Sequence, residues 1–258
     1  MPYKASMWDC FDSIWKAAAE DEGCRVTVVP IPYYDKSPDG KLCNYYYEGD
    51  GLPAYVKTVH YQEYSIQQHK PDIVYIHNPY DGSNYVTSVA PEYYSGELRK
   101  YTDRLVYVPY FIASGYSDAK SAWPYIAPIA IINTDYIIYQ SPVQLEMLKE
   151  LGLYQNNALV LGSPKLDYYA GMKDPGMPDK SWEKCRKFKK TVLMTATLDM
   201  LLAQSNDTEP YRWISRMQSF LDVILSFPDL ALIFRPHPLM KQTIRSMRPY
   251  LIDEYEKL

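Results

Sequence analysis

At 258 residues the chain is long enough for two domains or one large one, and 47% hydrophobic with 22% charged residues is an ordinary balance for a folded protein. A net charge of −4 excludes a global attraction to nucleic acid or to an anionic membrane. The sequence has no apolar run of about 18 residues and no secretory signal, so a cytoplasmic location is expected. Cys10, Cys24, Cys43 and Cys185 are scattered without a Cys-x-x-Cys pair, which fits reduced thiols rather than a disulfide framework or a zinc site.

Trp8, Phe11, Ile14, Trp15 and Ala18 recur at helical spacing within residues 7–19, and Ser6 is placed to cap that helix. The β-branched run 25–30 (RVTVVP) predicts a strand. In an alternating α/β chain a strand precedes such an opening helix, so a first strand is expected upstream of Met1. Residues 31–52, rich in Tyr, Pro, Gly and Asp, predict a long loop. A short strand is predicted over 55–59 and a helix over 60–69, ending before Pro71. Residues 72–76 form a clear strand, closed by His77-Asn78-Pro79-Tyr80-Asp81. A helix at 91–101, a strand at 104–110, a loop at 111–121 and a helix at 122–133 follow. Then come a strand at 136–139, a helix at 143–151 closed by Gly152, and a strand at 158–161.

Strands separated by helix-length segments argue for a parallel, doubly wound α/β sheet. The pattern breaks at 173–180 (KDPGMPDK), which reads as a polar linker, and at 184–190 (KCRKFKK), a basic helix end. That basic run is either a solvated face or a contact with anionic lipid, the former being the plainer reading. A strand at 192–196, a helix at 209–227, a strand at 230–234 and a closing helix from Leu239 complete the chain. Two domains are expected: a Rossmann-like N-terminal domain over 1–167, lacking its first strand, and an incomplete second one over 168–258.

The stretch around the last strand carries the strongest chemical signal. Every residue from Leu230 to Phe234 is apolar, as in a strand buried on both faces. Pro236 biases Arg235 to an extended conformation, and Pro238 suits the first position of a following helix. His237 would then lie in the turn beside a helix N-terminus, whose free N–H groups attract anions. Arg235 and His237 thus read as a phosphate site or, equally, as a proline-rich turn whose histidine caps a helix. His77 ends a strand on the edge where α/β ligands bind and is a candidate general base, with Asp81 to orient it. Its plainer reading is a turn histidine. Gly162, Ser163 and Pro164 make a sharp strand-to-helix junction that also suits a hinge or cleft. No Gly-x-Gly-x-x-Gly, Walker A loop, Gly-x-Ser-x-Gly elbow, His-Glu-x-x-His or metal-binding Asp-x-Asp is present.

Three segments in order, 162–167 (GSPKLD), 192–199 (VLMTATLD) and 233–240 (IFRPHPLM), together resemble the CDP-glycerol glycerophosphotransferase family. They are similar to its Gly-x-Pro-Arg-x-Asp junction, its Leu-x-x-Ala-Pro-Thr segment and its Arg-x-His-Pro segment. The similarity covers the chain from Tyr136 onward. The resemblance implies a GT-B architecture, with two Rossmann-like domains. It implies transfer of glycerol phosphate from CDP-glycerol to a hydroxyl or polymer acceptor in teichoic-acid-type cell-wall synthesis, at the inner face of the membrane, without a nicotinamide or flavin cofactor; no metal is expected. It assigns His237, with Arg235, to the donor phosphates, and places Gly162, Ser163 and Asp167 at the junction. The chain departs from the family where a His-Gly-Thr-Pro segment would stand: residues 108–111 (VPYF) contain no histidine. The family's Asp-Tyr-Ser-Ser segment is expected beyond Leu258. On this reading the chain alone is expected to be inactive. A nucleotide-sugar glycosyltransferase or a UDP-GlcNAc epimerase-like protein on the same architecture is the alternative enzyme. A non-catalytic binding remnant is the alternative of another class.

Overall fold

The structure, a computed structural model, describes residues 1–113, 116–154, 156–172, 180–202 and 208–258. The predicted linker therefore lies outside the described residues, except for its last residue. The chain divides into two compact units, Met1–Tyr34 with Asn44–Lys173 and Asp35–Cys43 with Asp174–Leu258.

The strands up to residue 160 are β1 (Tyr33–Lys36), β2 (Leu42–Tyr46), β3 (Ile73–Ile76), β4 (Thr87–Val89), β5 (Arg104–Tyr107), β6 (Tyr136–Tyr139) and β7 (Ala158–Val160). The central sheet of the first unit runs β3-β5-β6-β7, all parallel. Its strands are continuously apolar because both faces are covered. Val74, Ile76, Leu105, Tyr107, Ile137 and Tyr139 pack on one face with Ala122, Ile126 and Leu148, from the helices Ala119–Ile126 and Pro142–Glu150. Val106, Val108 and Ile138 pack on the other with Trp8, Cys10 and Phe11. Those residues come from the 3₁₀ turn Ala5–Cys10 and the approach to the helix Asp12–Glu20. Asp118 with Ser121, and Ser141 with Gln144, form capping boxes that satisfy the first N–H groups of the two helices on the first face.

Several expectations need correction. Residues 25–30 form no strand: Val28 makes one isolated bridge to Thr58, because Pro30 and Pro32 have no N–H with which to continue a ladder. The same bridge is all that becomes of the strand predicted over 55–59. The predicted loop 31–52 instead holds β1 and β2, and β1 alternates between buried and half-buried positions as a pleated strand does. With β4, a strand not anticipated, they form a second sheet in the order β2-β1-β4. The predicted helix 60–69 shrinks to a 3₁₀ turn at Tyr61–Glu63 and one α turn at Ile66–His69, where Ser65 recaps the chain.

The second unit contains β8 (Lys190–Ala196) and β9 (Leu230–Pro236), paired in parallel over seven residues. Among the described residues each has only the other as a neighbour. Met194, Ala196, Leu232 and Phe234 face a core of Leu201, Ile214, Met217, Leu221, Met240, Ile244 and Leu251. The helices Thr208–Leu225 and Met240–Met247 supply most of it. The opposite face carries Leu193, Thr195 and Arg235, all exposed.

His77 is a core residue of the first unit, fully buried. Its Nε2 accepts from the backbone N–H of Tyr3 at 3.1 Å, so the neutral ring carries its proton on Nδ1. Nδ1 lies 3.3 Å from the sulfur of Cys10, which in turn donates to the Met7 carbonyl at 3.0 Å. Tyr3 and Phe11 pack their rings on it, with centroids 4.8 and 4.9 Å away. Burial, and then the positive charges of the α-amino group, Lys165 and Lys4, hold its pKa well below the usual value. Below pH about 6.5 the unfolded chain takes up a proton that the folded ring refuses. This group should therefore lower the unfolding free energy by about 1.4 kcal/mol for each pH unit below that point, while the folded ring stays neutral. Denaturant titrations between neutral and mildly acidic pH should show that slope reduced in His77→Asn; an identical slope would mean that the acid sensitivity arises elsewhere.

Candidate functional site

In the second unit, the parallel register sets Thr195 opposite Arg235 and Ala196 opposite Pro236, so both strands end together. The His237 N–H extends the ladder by donating to the Ala196 carbonyl at 2.9 Å. Residues 238–239 then turn, and the helix begins at Met240, two residues later than the proline placement predicts. The Met240 N–H donates to the His237 carbonyl at 2.8 Å, and the Leu239 N–H donates to His237 Nδ1 at 3.1 Å. The side chain therefore braces the turn through one ring nitrogen. Arg235 and His237 are both exposed at this edge, two residues apart. A guanidinium, an imidazole and the start of an eight-residue helix can together bind an anion.

In the first unit, the strand-end residues do not behave alike. His77, with both ring nitrogens engaged and no exposure, offers no lone pair to an acceptor hydroxyl in this arrangement. Asp81 does not orient it. Its carboxylate instead accepts from the N–H and hydroxyl of Ser95, at 2.8 and 2.6 Å, at the start of the short helix Ser95–Leu98.

Gly162 takes φ +88°, a conformation that L side chains rarely adopt, so the sharp turn after β7 depends on glycine. Ser163 then precedes the helix Pro164–Ala170, with its hydroxyl buried and bonded to no described residue. That helix docks on the N-terminal segment through charge. Lys165 forms an ion pair with Asp9, whose Oδ2 also accepts from the Tyr169 hydroxyl at 3.1 Å. Asp167 is exposed and accepts from the Ser13 hydroxyl at 3.2 Å.

Asp9 is the residue that the sequence reading missed. It is 7% exposed; one carboxylate oxygen is anchored by Lys165 and Tyr169, while Oδ1 is buried and bonded to no described residue. The Asn78 amide nitrogen, immediately after His77, is likewise buried without a described partner. Buried polar atoms are nearly always hydrogen-bonded, so both are exceptions within the first unit. The sequence signal was present but weak: an acidic residue just before an opening helix, and a lysine in the GSPKLD segment.

A recess of about 350 Å³ lies beside this contact, lined by Asp12, Ser13, Lys16, Tyr55, Asp167 and Tyr168 among others. Asp12 is buried at its edge. Burial alone would raise its pKa, but hydrogen bonds from Lys16 at 2.6 Å, Tyr55 at 2.5 Å and Trp8 at 3.2 Å outweigh that and hold it below the usual carboxylate range. Among the described residues no group of His, Cys, Asp and Glu could hold a metal ion. No helix among them is long and apolar enough to cross a membrane.

Neither a family model nor a curated protein matches the sequence. Among solved structures the chain is similar to the S. aureus MnaA–UDP complex, at 15% sequence identity and a TM-score of 0.55 over 96% of its own length. It spans 64% of the length of that chain. A likeness at this identity speaks to fold alone. The protein has a mixed α/β architecture built on parallel sheets, Rossmann-like and GT-B-like.

Proposed function

We propose that this chain belongs to a transferase that takes glycerol phosphate from CDP-glycerol and passes it to a hydroxyl acceptor. The observation that carries the proposal is the pair Arg235 and His237, exposed together where β9 ends and the next helix begins. On this reading Arg235 and His237 meet the donor phosphates and stabilise the charge that builds on the departing CMP. The acceptor oxygen bonds to the glycerol-bearing phosphorus as the bond to CMP breaks. Gly162, Ser163 and Asp167 lie at the junction that sets Lys165 against Asp9.

The alternative enzyme, acting on a nucleotide sugar, gains support from the fold likeness to a UDP-bound protein. Mass analysis of products from the intact protein, offered CDP-glycerol and UDP-sugars in parallel, separates the two. One reaction adds glycerol phosphate; the other adds or alters a sugar. CDP-glycerol is expected to bind in preference, and equal indifference to both donors would sink the proposal. Nucleotide binding with no turnover would favour a non-catalytic role.

One substitution separates the two readings of His237. His237→Ala should lower turnover by about 10²–10³ through lost charge stabilisation. If His237 only braces its turn, the change should instead cost roughly 1 kcal/mol of stability with turnover intact.

A further inference from the structure

The second unit holds a recess at the end of its sheet where the two strands begin. Side chains alternate between faces along β8 and β9, so Thr191 and Ile233 stand on the face that carries Leu193, Thr195 and Arg235, away from the core. The short helix Lys180–Glu183 and the 3₁₀ turn Lys184–Lys187 lead into β8. Between this segment and the strands lies a space of about 390 Å³. Thr191 and Ile233 line it from the sheet, and Trp182, Arg186, Phe188 and Lys190 line it from the segment that enters β8. Its size falls in the range of small-molecule sites, roughly 300–1,000 Å³.

Two kinds of unspent side chain meet there. Trp182 and Phe188 are 44% and 42% exposed, and neither packs on another aromatic ring among the described residues. Singly exposed rings are ordinary, but two bordering one recess offer flat apolar faces to a guest. The charges are the second kind. Arg186, Lys189 and Lys190 line the recess against one carboxylate, Glu183. Lys189 pairs with Asp229 at 2.7 Å, whereas Arg186 and Lys190 make no ion pair among the described residues. A simple anion would use the cations and leave the rings bare; an uncharged aromatic molecule would do the reverse. A flat heterocycle joined to phosphates uses both, stacking on the rings and presenting oxygens to guanidinium and ammonium groups. A long nucleic acid fits less well, because a chain of net charge −4 has no extended basic track beyond this short run.

We propose that this recess binds a nucleoside di- or triphosphate, with the base stacked on Trp182 and Phe188 and the phosphates held by Arg186 and Lys190. Lys190 and Ala196 mark the two ends of β8, about 20 Å apart. Arg235 and His237 stand at the Ala196 end, so the recess is separate from the proposed donor site. The inference does not depend on which donor that site takes.

Binding of mant-ATP, a fluorescent form of ATP, tests it. The unaltered protein should bind the probe saturably. ATP should displace it at far lower concentration than inorganic tripolyphosphate, which carries the phosphates without the base. Trp182→Ala/Phe188→Ala should weaken binding about tenfold or more. Arg186→Ala/Lys190→Ala should weaken it by about tenfold as well. Both variants should melt as the unaltered protein does, since all four side chains are exposed. Arg235→Ala/His237→Ala, which disables the proposed donor edge, should still bind the probe. Absence of saturable binding, or equal displacement by tripolyphosphate and ATP, would overturn the proposal without any variant. So would unchanged affinity in either folded recess variant. Loss of binding in the donor-edge variant would also overturn it, placing the nucleotide at Arg235 and His237 and leaving the reading of that pair intact.

Discussion

Two parallel strands cannot be joined by a tight turn, so the chain must return over a face of the sheet before the next strand can begin. Each return covers apolar surface, and each strand then finishes on the same edge as its neighbours. That constraint explains why the unlike residues Ser163 and Asn78 are found at one edge of the first unit, and Arg235 and His237 at one edge of the second. The strand interiors hold the fold together, while the residues beyond their carboxyl ends are left to turn and to meet other groups.

Within the first unit the N-terminal segment is secured by polar contacts as much as by packing. The Tyr3 backbone, His77, Cys10 and the Met7 carbonyl form a chain of buried hydrogen bonds. One residue away, Asp9 takes the charge of Lys165 from a helix that follows the last strand of the sheet. The 3₁₀ turn Ala5–Cys10 is thus held from both sides.

How much of this was legible in the sequence follows from the range of each interaction. β3, β5, β6 and β9 were read correctly because burial on both faces leaves an unbroken apolar run. β1 and β2 were read as loop: their tyrosines lie among Pro, Gly and Asp, and β2 is exposed along most of its length, so no periodicity survives. The run 25–30 misled in the opposite direction, being β-branched but deprived of a ladder by Pro30 and by Pro32 just after it. The site showed the same division. Arg235 and His237 are neighbours in sequence and could be found as a motif. Asp9 and Lys165 are 156 positions apart, and Cys10 and His77 are 67 apart, so no local pattern announces either pair. Asp81 lay near enough to His77 in sequence to suggest a partnership, yet its carboxylate serves Ser95.

The two-stranded ladder of the second unit has a consequence for how its backbone exchanges with solvent. In a parallel strand, successive residues direct their N–H groups to alternate sides. Among the described residues β8 and β9 each have one neighbour, so only every second amide is engaged in the ladder. β5, held between β3 and β6, is bonded on both sides. Hydrogen–deuterium labelling would accordingly read β5 as a continuous protected block and β8 as an alternating one. The strand that delivers Arg235 to its edge is therefore the more easily opened of the two kinds, and its local stability is a property separate from that of the first unit.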